Sequence, residues 1–147
     1  MQKLFKKNSV DRIIDANLNR LKEGLRVIEE IARFILEKSA LNTELKSLRH
    51  KVEAIASSSF IRNNLLAQRN SSGDIGRLIM AGELKRKDSA DIFFANIQRI
   101  KESLRVLEEF SKLQNTKAAL QFKKLRYRVY EIEKKFAKES QNLRTIR

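Results

Sequence analysis

The stretch Ala16 to Phe34, ANLNRLKEGLRVIEEIARF, returns seventy-nine residues later as Ala95 to Leu113, ANIQRIKESLRVLEEFSKL, with ten of nineteen paired positions identical. Within and just past the first copy, Leu18, Leu21, Leu25, Ile28, Ala32 and Ile35 keep the three-four spacing of one buried helical face. A duplicated helix needs only that apolar seam in order to pack. Here Asn17/Asn96, Arg20/Arg99, Glu23/Glu102, Arg26/Arg105, Glu29/Glu108 and Glu30/Glu109 recur as well. Polar identity kept in both copies points to work beyond helix formation.

Outward from the repeat, Ser47 to Ile55 (SLRHKVEAI) aligns with Lys124 to Ile132 (KLRYRVYEI) at an offset of seventy-seven, so the duplicated unit is a pair of helices. The spacing predicts a first long helix, capped by Ser9 and running to about Lys38. A second begins near Asn42 or Thr43 and carries Leu45, Leu48, Val52 and Ile55. Ser89 suits the cap of the third, and Asn115 or Thr116 the start of a fourth reaching Leu143. Between the pairs, Gln68 to Arg77 (QRNSSGDIGR) has a turn composition with two of the four glycines, followed by a short helix through Glu83 and Arg86.

The chain has no Pro and is rich in Leu, Ile, Lys, Glu and Arg, which favours helix and gives strands little punctuation. The expected fold is all-α: a helical bundle of two duplicated hairpins related by a pseudo-two-fold axis, with an irregular central loop and one short helix. At 147 residues it reads as a single domain, 1–147. Repeat one covers about 9–57, the connector 58–88 and repeat two 89–143.

The net charge of +14 resembles a nucleic-acid signal until it is located. Lys117 to Arg147 carries a net +7 and Met1 to Lys7 a net +3, leaving +4 for the 109 residues between. Terminal basic charge favours phosphate-bearing ligands of any kind. Cysteine is absent and His50 is the one histidine, which removes most nucleophile and zinc schemes. No apolar run approaches twenty residues and the start lacks a signal-peptide middle, so the expected location is the cytoplasm, with no membrane partner.

Beside the buried face, Asn17 and Arg20, and likewise Asn96 and Arg99, stand one turn apart and are followed by a small residue, Gly24 or Ser103. Hydrogen-bond donors next to small residues suit a pocket between packed helices. The bland account is local bonding by Asn, ion pairing by Arg and close helix approach at the small residue. Recurrence in both copies favours the pocket. The stripe Glu23, Arg26, Glu30, Arg33 and Glu37 alternates sign as a solvated face does. Its mates Glu102, Arg105 and Glu109 would give paired carboxylates for a divalent cation if they met across the axis. Gly73, Asp74 and Gly76 sit in a run able to cradle phosphate through backbone amides, with Asp74 facing a metal, although it lacks the ending of a Walker loop.

Taken in order, Asp15-Ala-Asn17-x-x-Arg20-x-x-Glu23-Gly-Leu-Arg26-Val-x-Glu29-Glu30-x-x-Arg33-Phe, Leu48-Arg49-His50, Arg69-x-x-x-Gly73-Asp74-x-Gly76, Ala95-Asn96-x-x-Arg99-x-x-Glu102-Ser-Leu-Arg105-Val-Leu-Glu108-Glu109 and Leu125-Arg126-Tyr127 form a long ordered set. Over roughly Asp11 to Glu133 it resembles the helical domain often fused ahead of thiamine-phosphate synthase. That family is similar to the monofunctional hydroxymethylpyrimidine-phosphate kinase of thiamine biosynthesis. Two loop positions depart from its pattern: Asn70 stands in place of Asp and Ile75 in place of Val. No acidic role therefore transfers to position 70.

The resemblance implies an ATP-dependent phosphotransferase that uses Mg2+ and converts 4-amino-5-hydroxymethyl-2-methylpyrimidine phosphate to its diphosphate. Such an acceptor is largely dianionic at neutral pH, so catalysis is alignment and charge neutralisation. On this resemblance Arg20, Arg99 and Asp74 are catalytic candidates. Asn17, Asn96, Arg26, Arg105, Arg49, His50, Arg69, Gly73 and Gly76 bind substrate, and Glu23 and Glu102 lie near the metal. Thiamine-phosphate synthase and a second copy of the chain are candidate partners. Two other readings stand beside it: a helical scaffold for thiamine-phosphate synthase, and a basic nucleic-acid-binding module carrying Tyr127 and Tyr130. The second has no helix-turn-helix, zinc or RNA-stacking motif behind it.

Overall fold

The computed structural model describes residues 2–147, with side chains from residue 9 onward. The basic start, 1–7, lies outside the described side chains. Helix α1 spans Gln2–Glu30. Ser9 therefore lies inside it rather than at its cap, because the preceding residues hold no breaker and the helix starts upstream. The helix passes into a π turn, Ile31–Ile35, in which the Leu36 amide donates to the Ile31 carbonyl at 2.9 Å. That wider turn rotates the apolar stripe, so Ile35 is 37% exposed rather than buried. Glu37 then takes a left-handed φ of 50°, and the Lys38 amide reaches back to the Ala32 carbonyl at 3.0 Å.

Helix α2 follows at once, Ser39–Ser59, earlier than the expected Asn42 or Thr43, and buries Leu41, Leu45, Leu48, Val52 and Ile55. A short helix not foreseen from the sequence, α3 (Arg62–Ala67), packs Leu65 against the core. The expected short helix through Glu83 and Arg86 is a single exposed 3₁₀ turn, Ala81–Leu84. Helix α4 (Ser89–Ser111) is capped by Asp88, whose carboxylate accepts from the Asp91 amide at 2.9 Å. Ser89 is displaced from that role: it is buried in the first turn, where its hydroxyl donates to the Ile146 carbonyl at 3.1 Å. Asn115 caps α5 (Thr116–Ala137) by accepting from the Ala118 amide at 3.0 Å. The chain then breaks at Glu139 before α6 (Ser140–Arg144), so the last helix does not run unbroken to Leu143. Leu143 is nevertheless fully buried.

The architecture is all-α, with no strand among the described residues. Helices α1 and α4 share the broadest interface, with α2 and α5 packed beside them around one continuous core. Phe93 and Phe136 stack in that core with ring centroids 4.4 Å apart. Among the described residues no helix is long and apolar enough to cross a membrane. The α1–α4 interface places the matching polar residues of the two repeats on neighbouring helices, and the candidate site lies there.

Candidate functional site

Asn17 and Asn96 make the same local bond, each side-chain amide donating to the carbonyl four residues back, Ile13 at 2.9 Å and Ile92 at 2.8 Å. Each amide is thereby oriented with its own oxygen left over as an acceptor. Gly24 is buried, and a Cβ there would lie 2.9 Å from Cγ1 of Ile100 and 3.5 Å from the Asn96 carbonyl oxygen. Its missing side chain serves close approach of α1 to α4 rather than open space. Its mate Ser103 instead lines a cavity of about 330 Å3 together with Asn17, Arg20, Arg99 and Glu102.

A second cavity, of about 340 Å3, again contains Arg20 and Arg99, now with Asp15, Glu23, Arg69 and Asp74. The two repeats thus converge through their arginines, which border both spaces. Glu23 and Glu102, expected as a pair, line different cavities, and Glu102 accepts from Gln98 at 3.1 Å.

The central loop reaches this site through two long-range contacts. Arg69 grips Asp15 with Nε and Nη2, both at 2.8 Å, and that bond raises the Arg69 pKa further. Arg12 donates to the Asn70 carbonyl at 3.0 Å. Within the loop, the Gly73 amide donates to Asn70 Oδ1 at 2.9 Å and the Gly76 amide to Asp74 Oδ1 at 2.8 Å. These two amides close the turn with its own side chains, so neither is free to cradle a phosphate. Asn70 has a local reason to be Asn: it accepts from both Gly73 and the Ser72 hydroxyl.

The remaining arginines in the expected set are held by carboxylates. Arg49 meets buried Glu29 at 2.9 and 3.4 Å, with Arg26 of α1 3.8 Å from the same carboxylate. The second repeat matches it: Arg126 meets buried Glu108 at 2.8 and 3.3 Å, with Arg105 at 3.2 Å. Burial alone would raise the Glu108 pKa, but hydrogen bonds from Arg126 and Arg105 hold it below the ordinary value. Among the described residues, Arg20 and Arg99 are the two arginines of that set with no carboxylate partner. His50 is exposed, in an open hollow with Lys22, Arg26, Arg49 and Glu53. On the same face of the second repeat, Tyr127 and Tyr130 pack edge to face at 5.5 Å, and the Tyr130 hydroxyl accepts from Arg126 at 2.7 Å.

Among the described residues no three His, Asp or Glu side chains gather as a metal cage. Magnesium on a polyphosphate asks for less, one or two carboxylates with phosphate and water completing the shell. Glu23 and Asp74, in one cavity with Arg20 and Arg99, fit that requirement. Sequence reasoning passed over Asp15 and Asn19, which the Arg69 contact and the cavity walls bring forward. The one available signal was the place of Asp15 at the head of the ordered motif set.

No solved structure matches the chain. Among curated proteins, a thiamine-phosphate synthase of Synechocystis sp. is 44% identical over 126 residues, covering 85% of this chain and 35% of the relative. One from Nostoc sp. is 42% identical over 125 residues, 84% of this chain and 34% of the relative. One from Rhodopirellula baltica is 39% identical over 134 residues, 88% of this chain and 36% of the relative. The chain thus spans about a third of the length of these relatives. The description "ThiD2 family" matches residues 12–135, which include every residue of the cavities at Arg20 and Arg99. The chain belongs to the ThiD2 family.

Proposed function

We propose that the chain is an ATP-dependent phosphotransferase of thiamine biosynthesis that converts hydroxymethylpyrimidine phosphate to the diphosphate. One observation carries the reading: Arg20 and Arg99, from matching positions of the two repeats, border the same two cavities with no carboxylate among the described residues holding either guanidinium. Two open guanidinium forks between two spaces suit a reaction that brings two phosphate chains together. The relatives' name, thiamine-phosphate synthase, supports the pathway.

In the reaction, an oxygen of the acceptor phosphate attacks the γ-phosphorus of ATP, the bond from that phosphorus to the β-bridging oxygen breaks, and ADP leaves. The acceptor is already largely dianionic, so no side chain needs to remove a proton. Arg20 and Arg99 hold and neutralise the transferring group, and the Arg69–Asp15 pair fixes the loop that carries Asp74. Glu23 and Asp74 would hold a magnesium ion, which would supply further charge neutralisation.

The test is incubation of the protein with magnesium, ATP and hydroxymethylpyrimidine phosphate, with the diphosphate followed by chromatography and the unphosphorylated alcohol run in parallel. Product from the phosphate alone is expected; no product from a protein that is folded by circular dichroism refutes the reading. A second reading, a helical partner of thiamine-phosphate synthase, has its own observation in the exposed apolar connector residues Ile75, Leu78, Ile79, Met80 and Leu84. Co-elution with that enzyme, in the absence of turnover, would favour it.

A further inference from the structure

A third cavity, about 350 Å3, lies between α1, the C-terminal end of α2 and α3. Its walls include Leu18, Ala56, Leu65 and Leu66. Its rim carries Asn19 and Arg62, neither with a side-chain partner among the described residues, and the Lys22–Glu53 ion pair at 3.4 Å. Seven of the eleven lining residues are polar or charged and the four apolar ones give a ring something to pack on, a mixture that suits a small polar heterocycle. Asn19 presents a donor and an acceptor side by side, the pattern that pairs with a ring nitrogen next to an exocyclic amine.

The cavity adjoins the one containing Arg20 and Arg99, since Asp15, Asn19 and Arg69 line both. A ligand that spans them has its ring on one side of the Asp15–Arg69 pair and its phosphate on the other. In the pyrimidine phosphate a single methylene separates ring from phosphate ester, which suits adjoining cavities. In ATP a ribose intervenes and the base lies farther from the phosphates.

We infer that the α1–α2–α3 cavity is the seat of the aminopyrimidine ring of the acceptor, read at its edge by Asn19. This rests on the phosphotransferase reading for the identity of the ligand, and its test is made by binding so that the two can fail separately. Ser57 and Leu66 line the cavity and are exposed, so Ser57→Trp and Leu66→Trp fill it from the solvent side without opening the core. Titration calorimetry with hydroxymethylpyrimidine phosphate, and separately with AMP, is run on the wild type and on both variants, each checked by circular dichroism.

The expected result is a Kd for the pyrimidine phosphate raised at least about tenfold in each folded variant, with AMP binding unchanged. Pyrimidine phosphate binding equal to the wild type in either folded variant overturns the inference. So does a loss confined to AMP, which would give the cavity to the purine, or no pyrimidine phosphate binding by the wild type. Should the wild type bind but not turn over, the kinase reading falls and the ring seat stands. Should turnover proceed in the variants with unchanged KM for the pyrimidine phosphate, the seat falls and the kinase stands.

Discussion

Replacing Glu108 by Ala tests the account of the buried clamps directly. The Glu108 side chain is 6% exposed and accepts from Arg126 at 2.8 and 3.3 Å and from Arg105 at 3.2 Å. Its removal strands the Arg126 guanidinium, itself only 14% exposed, with the Tyr130 hydroxyl as its remaining hydrogen-bond partner among the described residues and the Tyr127 and Tyr130 rings beside it. Breaking a buried pair from one side costs about 3–5 kcal/mol, and the surviving Tyr130 bond sets the expectation at the lower end, about 3 kcal/mol. In a chain of this length that is a fall in Tm of about 6–12 °C. Glu109, one residue on but 45% exposed and bonded to Lys112 at 2.6 Å, is the control, and Glu109→Ala is expected to leave Tm nearly unchanged. Because the cost is that of an orphaned charge, Glu108→Met combined with Arg126→Met recovers most of it. The pH dependence has a defined sign. Glu108 titrates below its ordinary 4.5, so its contribution is in place above pH 4.5 and is lost as pH falls through the lower folded value. The Glu108→Gln variant flattens that acid limb. Thermal unfolding by circular dichroism measures all of this, and an equal Tm for Glu108→Ala and Glu109→Ala refutes the reasoning.

Arg20→Ala and Arg99→Ala each remove an exposed cation with no carboxylate partner among the described residues, so circular dichroism and Tm stay close to wild type. Under the proposed reaction each lowers kcat/KM by about 10²–10³, and turnover within threefold of wild type, measured by diphosphate formation, would sink the assignment. Glu37→Gly relieves the left-handed φ of 50° and is expected to add about 0.5–1 kcal/mol in urea unfolding; a loss of stability would contradict the strained turn. Gly24→Val forces branched carbon against Ile100, where even a Cβ would come within 2.9 Å, and should cost about 2 kcal/mol in the same assay.

The apolar stripe from Leu18 to Ala32 was legible because helical periodicity is a local property and each of those positions faces the core. Ile35 was not, because a π turn shifts the phase of the stripe and leaves no compositional trace. Caps were half legible. Of Asn115 and Thr116, Asn115 is the cap of α5, whereas Ser89, expected to cap α4, yields that place to Asp88 and bonds instead to Ile146, fifty-seven residues away. The same distinction governs the site. That Asn17, Arg20 and Arg99 would line one space could be read from the repeat, while Asn96 does not line it. That Arg69 would reach Asp15 across fifty-four residues, and that α3 would roof a cavity over Asn19, depended on contacts to which no local pattern is sensitive.

Periodicity alone treats the repeated arginines as equivalents, and pairing separates them. Arg49 and Arg126 join α2 to α1 and α5 to α4 through the buried pair Glu29 and Glu108, and Arg26 and Arg105 meet the same carboxylates from within α1 and α4. A clamp of that kind holds helices in place and leaves little field for a ligand. Arg20 and Arg99 lie on the flank where α1 faces α4, which puts them beside each other and away from both clamps. Duplication thus has two separable consequences: each copy keeps its own hairpin closed by a Glu–Arg clamp, and the junction between copies gains a pair of open guanidinium groups that neither copy has alone. A variant that breaks a clamp should therefore lose stability before activity, and a variant at the junction should lose activity with stability intact.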